Sequence, residues 1–174
     1  MKALIVYESM FGNTEQVAHA VAEGLSTLMD VELVEARKAP APLLEFVDLV
    51  VVGGPTHAFS MTRPNTREDA VRQGSHADVS AGGIREWIDH LHAGPHSEKV
   101  ATFDTRVAKV RHLPGSAGRS AAKGLRRHGY DTAVKPESFW VEDVAGPLLD
   151  GELDRARAWG ARLAAAVASP AGAN

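Results

Sequence analysis

Residues 5–21 of the chain read IVYESMFGNTEQVAHAV, and the fold is decided by how this stretch is read. The β-branched run Ile5-Val6-Tyr7 breaks into a polar loop of Ser9, Met10, Phe11, Gly12, Asn13 and Thr14, which opens directly into an amphipathic helical pattern. A strand, a turn lined by hydroxyl and amide groups, and a helix start form the layout of an anion site. The first backbone N–H groups of a helix have no partner within it, and the macrodipole adds partial positive charge there. Such a turn holds a phosphate without Lys or Arg, and this one contains neither. The G-x-x-x-x-G-K-[ST] pattern is absent, which argues against a P-loop nucleotidase. G-x-G-x-x-G is absent too, so the dinucleotide fingerprint is missing. A plainer reading of the same residues is an ordinary strand-to-helix turn, with Asn13 and Gln16 as a capping box.

Working outward, strands and helices alternate. Residues 2–7 form the first predicted strand. Residues 14–29 form the first helix, with Val17, Val21, Leu25 and Leu28 on one face. A short strand follows over 31–34, and Pro40 and Pro42 limit any helix in 35–46 to a short one. The continuous apolar run at 49–52, ending in Gly53-Gly54, reads as a strand buried on both faces, as in parallel sheets. Residues 60–83 are polar throughout and read as an insertion loop, either a lid over the site or a surface excursion. The remaining predicted elements are a helix over 84–91, a strand over 100–103, a helix over 118–128 stopped by Gly129, a strand within 132–141 and a helix over 150–168. On the last helix Leu149, Leu153, Leu163 and Val167 share a side. Five strands alternating with helices predict an α/β fold with a doubly wound parallel sheet. The expected organisation is one domain over 1–168, with 60–83 near the site and a flexible tail over 169–174.

Composition bounds the function. The chain has 174 residues, a formal net charge of −3 and no cysteine. Disulfides, thiolate metal sites and cysteine nucleophiles are excluded. The weak charge gives no reason to expect a nucleic-acid partner. No apolar run reaches the roughly 18 residues needed to span a bilayer. MKALIVYES at the start reads as a strand rather than a leader, because no small-residue cleavage site follows it; the expected location is the cytoplasm. His90, His92 and His96 do not share a helix face and are read as a solvated helix end, with no metal expected. Trp87, Trp140 and Trp159 fall in periodic segments and are read as core. Arg119, Lys123, Arg126 and Arg127 lie along one helix and are read as a solvated face or a dock for an acidic partner. No G-x-S-x-G elbow accompanies the Ser, His and Asp residues that hydrolysis would need.

The spacing of Tyr7, Ser9, Gly12, Thr14, Ala18 and Val21 resembles the N-terminal signature of the flavodoxins. One position departs: the residue before Gly12 is often Ser or Thr in that family and is Phe11 here, which removes a hydroxyl but keeps its N–H. The resemblance implies strand order 2-1-3-4-5, with a ligand at the carboxyl ends of the first and third strands. It implies FMN as cofactor, its phosphate held by residues 9–14 through backbone N–H groups and the side chains of Ser9, Asn13 and Thr14. Pro55, Thr56, His57, Ala58 and Phe59 would flank one face of the isoalloxazine. Asp104, Thr105, Arg106 and Val107 would reach its pyrimidine edge through backbone groups.

Two further departures shape the expected chemistry. His57 stands where many flavodoxins place Trp, and residues 104–116 hold no aromatic side chain besides His112, which leaves Phe59 as a stacking surface. Arg63, Arg67, Arg106 and Arg111 lie in loops near the expected flavin, and a nearby cation lowers the energy of a developing anion. The expectation is a less negative flavin potential and two-electron chemistry. His57 could also hand on a proton, since imidazole titrates near neutrality, or serve only as a contact. The implied function is electron transfer through bound FMN to a redox partner protein or a small-molecule acceptor such as a quinone. The alternatives are an FMN-dependent NAD(P)H:quinone-type oxidoreductase and a flavin-free binding module with the same fold.

Overall fold

A computed structural model describes residues 1–41, 43 and 46–169. Its centre is a six-stranded parallel sheet in the order β2-β1-β3-β4-β5, with β6 also on β4. The strands are β1 (Lys2–Tyr7), β2 (Asp30–Glu35), β3 (Leu49–Pro55), β4 (Lys99–Val107), β5 (Asp131–Thr132) and β6 (Glu137–Val141). The helices are α1 (Asn13–Leu25), α2 (Pro64–Arg72), α3 (Ile84–Asp89), α4 (Ala117–Arg127) and α5 (Glu152–Ala168). The predicted strand order is thus present.

Successive strand residues point to opposite faces, and each face of the sheet buries its own core. Ala3, Ile5, Leu49, Val51, Ala101 and Phe103 pack with α1 and α5. Leu4, Val6, Val50, Val52 and Val100 pack with α3 and α4. On the first side Phe103, Phe139 and Trp159 form an edge-to-face trio with ring centroids 6.0–6.1 Å apart. There α1 and α5 approach until backbone touches backbone: a Cβ on Gly24 would lie 2.1 Å from the Arg157 carbonyl oxygen, and one on Gly160 2.3 Å from that of Val21. Only glycine allows both contacts.

The structure corrects several boundaries. The predicted strand over 132–141 is two strands, because Pro136 has no N–H to donate. Thr132 pairs with Val100 and Glu137 with Phe103, so five steps on one chain match three on the other and residues 133–136 loop out. Strand β4 runs on past Phe103 to Val107, paired along that length with β6. Helix α1 stops at Leu25, four residues early, and leaves Leu28 exposed rather than inward. Leu149 and Leu153 are exposed as well, with Leu148 packed inward in their place. Trp87 and Trp159 are core residues, but Trp140 is only half-buried, under the Arg106 guanidinium 5.7 Å from its ring centre. The segment expected as a loop over 60–83 contains α2, entered through Pro64 with the Arg63 N–H donating to Thr66 Oγ1 at 2.8 Å. Among the described residues of the 35–46 segment, the helical element is a 3-10 turn at Ala36–Lys38. Pro42 and the 170–174 part of the tail lie outside the described residues.

Candidate cofactor site

The site is built where β1 ends. Glu8 N–H donates to the Gly53 carbonyl at 2.9 Å, joining the exits of β1 and β3. The chain then turns through Ser9, Met10 and Phe11 to Gly12, which stands at the start of α1 with φ +85°. That left-handed conformation costs an L-residue roughly 1–2 kcal/mol and glycine little. No side chain caps the helix: the capping residue is Gly12, not Asn13, and Gln16 Nε2 reaches back to the Gly12 carbonyl at 3.3 Å instead of forming the expected box. Among the described residues, the first-turn N–H groups of α1 therefore have no side-chain cap. Ser9 Oγ shapes the turn by accepting the Gly12 N–H at 3.1 Å.

Asn13 and Thr14 face inward. Asn13 Nδ2 donates to the Ala145 carbonyl at 3.1 Å, and Thr14 Oγ1 lies 2.7 Å from Thr105 Oγ1 in a fully buried hydroxyl pair. Both side chains fix the loop against its neighbours, the β6–α5 connection and β4. The loop's anion capacity thus rests on backbone N–H groups and the Ser9 hydroxyl.

The second wall follows β3. Thr56 N–H donates to the Thr105 carbonyl, and Thr56 Oγ1 accepts the Ala117 N–H at the start of α4, both at 2.9 Å. His57 and Ser60 close a tight turn by exchanging backbone hydrogen bonds, which drives Ala58 and Phe59 to φ +46° and +63°. Two consecutive non-glycine residues in that region carry strain of the kind found at functional loops. The turn presents Phe59 to solvent, 49% exposed. His57 is pushed below its ordinary 6.5, chiefly by burial and further by the Arg67 charge, so its imidazole is neutral at pH 7.

The third wall differs from the sequence expectation. Asp104, Thr105, Arg106 and Val107 are strand residues, paired to β6 and, through Asp104 and Thr105, to β3. Asp104 and Thr105 are paired on both sides, whereas Arg106 and Val107 are paired only with β6, and the chain leaves the sheet past Val107. Asp104 is fully buried, its Oδ2 accepting the Gly118 N–H at 2.9 Å; burial pushes its carboxyl above the usual carboxylate range, against hydrogen bonds that pull it down. Arg106 is also buried and pins the 108–113 turn by donating to the Val110 and Leu113 carbonyls at 3.0 and 3.1 Å, while its Nε finds no partner among the described residues.

A buried network that the sequence reading missed holds the 60–83 segment beside this site. Glu8 Oε1 accepts the Thr62 hydroxyl at 2.5 Å and Oε2 the Ile84 N–H at 3.0 Å. Arg67, 3% exposed, donates to Thr62 Oγ1 and grips Glu86 through both terminal nitrogens at 2.8 and 3.2 Å. Burial pushes Glu8 above the carboxylate range. Burial works the same way on Glu86, but the Arg67 and Gly83 hydrogen bonds outweigh it and hold that carboxyl low. Arg67 is thus neutralised by Glu86 rather than free to act on a ligand. Beyond α2, the Ser75 hydroxyl donates to the Met10 carbonyl at 2.5 Å, which clasps the segment past that helix to the candidate phosphate loop.

Two hollows flank that loop. A cavity of about 490 Å³ lies on the β2 side, among Tyr7, Ser9, Gly12, Glu15, Arg37 and Asp78. Tyr7 donates to Glu15 at 3.1 Å, and burial with the Glu15 charge pushes the phenol up to about 12. The crevice between the second and third walls, bordered by Phe11, Pro55, His57, Arg106, Val107 and Val144, measures only about 50 Å³. The uncapped N–H groups fit a phosphate. The crevice is smaller than the roughly 300 Å³ at which ligand pockets begin, so a tricyclic ring would have to rest at its mouth or widen it.

Residues 5–74 match the sequence model of the flavodoxin family. No curated protein matches the chain. Among solved structures, a flavodoxin from the domain Archaea is 20% identical over 96% of this chain and 99% of its own, with TM-score 0.64. Flavodoxins 1 and 2 from Bacillus cereus are 19% and 20% identical, with TM-scores 0.66 and 0.67; they cover 94% and 97% of this chain and 97% and 98% of their own lengths. At such identities the likeness establishes the fold. The chain thus has the flavodoxin fold, with the flavodoxin sequence pattern over residues 5–74.

Proposed function

We propose that the chain binds FMN and transfers electrons through it. One observation carries this reading: the uncapped start of α1, with Gly12 in the left-handed conformation, sits between the ends of β1 and β3, where the strand order reverses. That is the position at which open α/β sheets bind ligands. The backbone N–H groups of Asn13, Thr14 and Glu15, with Ser9, would hold the phosphate. Asn13 and Thr14 would hold the loop in shape from behind. Residues 55–59 would flank the ring with Phe59 as the apolar surface, and Arg106 and Val107 would border its far edge. Bound there, FMN supplies a group that takes up and releases one or two electrons. The neutral imidazole of His57 can donate or accept one hydrogen bond to the ring without adding charge.

A second reading has its own support. The 108–116 loop carries no Trp, Tyr or Phe, so no aromatic side chain from it covers the outer ring face, and a nicotinamide or quinone has room to stack there. On this reading the protein passes hydride equivalents from NAD(P)H to a small acceptor.

The visible spectrum of the purified protein, before and after added FMN, tests the first reading. Flavin bands, or quenching of added FMN fluorescence at one equivalent, are expected; a colourless protein that leaves FMN fluorescence unchanged overturns it. Steady NAD(P)H oxidation with a quinone acceptor would then select the second reading over the first.

A further inference from the structure

Charge is distributed unevenly over this molecule. Between Thr105 and Tyr130 the chain carries seven Lys and Arg residues and no Asp or Glu, within a protein whose formal charge is −3. The other twelve cations and all 22 carboxylates lie outside that segment, so the remainder carries a formal −10. Six of the seven cations are exposed: Lys109, Arg111, Arg119, Lys123, Arg126 and Arg127. Elsewhere the common pattern is pairing, as with Arg37, Arg72, Lys99 and Arg157 on their carboxylates. Among the described residues none of the six pairs with a carboxylate. Their mutual repulsion is left uncompensated inside the chain, and an incoming negative surface can relieve it.

The placement ties this charge to the crevice. Helix α4 is anchored to the second wall by the Ala117 N–H bond to Thr56 Oγ1. From there Arg119, Lys123, Arg126 and Arg127 follow one helix face away from the mouth, over roughly 12 Å at 1.5 Å per residue. Lys109 and Arg111 sit on the turn that Arg106 pins. Between the charges lie exposed apolar side chains: Phe59 at 49%, Val110 at 36% and Leu113 at 46%. They belong to one continuous surface, because Gly115 packs so closely on Phe59 that a Cβ there would lie 2.6 Å from its carbonyl oxygen. Charges ringing a small apolar patch make up a docking surface, in which the charges steer and the patch seats.

We infer that the α4 face and the 108–113 turn form the docking surface for a redox protein with an acidic face, brought up against the mouth of the crevice. The inference rests on the electron-transfer reading above and names its partner class. A protein partner is favoured over nucleic acid because the cations surround apolar side chains, and because the surrounding −10 repels a phosphate backbone that extends beyond the patch.

The test is an NMR titration of the ¹⁵N-labelled chain, with and without added FMN, using an acidic ferredoxin as probe and basic cytochrome c as control. Shifts are expected at Lys109, Val110, Arg111, Arg119 and Lys123 with the ferredoxin, fading by 0.3 M salt. The charge-reversed variant K109E/R111E/R119E/K123E alters exposed side chains only, and its retained fold is checked by its amide spectrum. It should lose those shifts, gain shifts with cytochrome c, and slow electron exchange with the ferredoxin at least tenfold at low salt, within the range that steering supplies. Shifts in the FMN-free chain from a protein that never takes up FMN would sustain the surface and overturn the electron-transfer reading. Shifts confined elsewhere, none at all, or the same shifts with single-stranded DNA at equal concentration would overturn the docking surface.

Discussion

Replacing Arg67 by methionine should destabilise the protein by about 3 kcal/mol. Breaking one half of a fully buried ion pair costs about 3–5 kcal/mol, because the other charge is left without a partner. Here Arg67 is 3% exposed and Glu86 31% exposed on its side chain, so solvent reaches the carboxylate and the lower end applies. Thr62 also loses the guanidinium hydrogen bond and keeps only Glu8. For a domain of this size that loss lowers Tm by about 6–12 °C. Urea unfolding of the wild type, Arg67→Met, Glu86→Leu and the double variant supplies the assay. The double variant should recover more than 1 kcal/mol relative to the sum of the singles, since it removes both charges together. A single-variant loss below about 0.5 kcal/mol, or strict additivity, would refute the claim that this pair anchors the 60–83 segment.

Other expectations follow from the same geometry. Gly160→Ala forces a Cβ into the Val21 carbonyl and should cost about 2–3 kcal/mol by overpacking the α1–α5 contact, read as a lower urea midpoint. Thr14→Val removes one hydroxyl of the buried pair with Thr105 and should cost about 1–2 kcal/mol with the fold retained, by the same unfolding assay. Gly12→Val puts a β-branched residue at φ +85°; about 2 kcal/mol of strain should appear in the unfolding midpoint, together with at least tenfold weaker FMN binding by fluorescence titration. Glu8 has a folded pKa above its ordinary 4.5 because it is buried. The folded chain therefore holds a proton that the unfolded chain releases, so this contribution is full below about pH 4.5 and is lost as pH rises through the folded value. Glu8→Gln should flatten that decline in urea midpoints measured across the interval, and an unchanged slope would count against the assignment.

The fold was largely legible because β1, β3 and the first part of β4 are apolar runs and the helices, α2 apart, carry an apolar stripe. Ile5-Val6-Tyr7 and the 49–52 run needed no tertiary information. Helix α2 was illegible for the same reason: its buried residues are Arg67 and Ala70, so it shows no apolar stripe, and its anchor is an ion pair with a helix 19 residues away. The split between β5 and β6 was signalled by Pro136, but the length of β4 depends on β6 and could not be read from β4 alone. In the site, the loop 9–14 was found from its pattern, while the inward turn of Asn13 and Thr14 depends on Ala145 and Thr105, far along the chain. Glu8 carries a signal legible in the sequence: a carboxylate directly after a buried strand needs donors, and Thr62 and the Ile84 N–H supply them.

The central claim is that the start of α1 is a phosphate site. Comparing FMN with riboflavin, which lacks only the phosphate, tests it most directly by fluorescence quenching against the purified, flavin-stripped protein. FMN should bind at least 100-fold more tightly, the equivalent of about 2.7 kcal/mol carried by the phosphate alone. Equal affinities, or no quenching by either, would contradict the account.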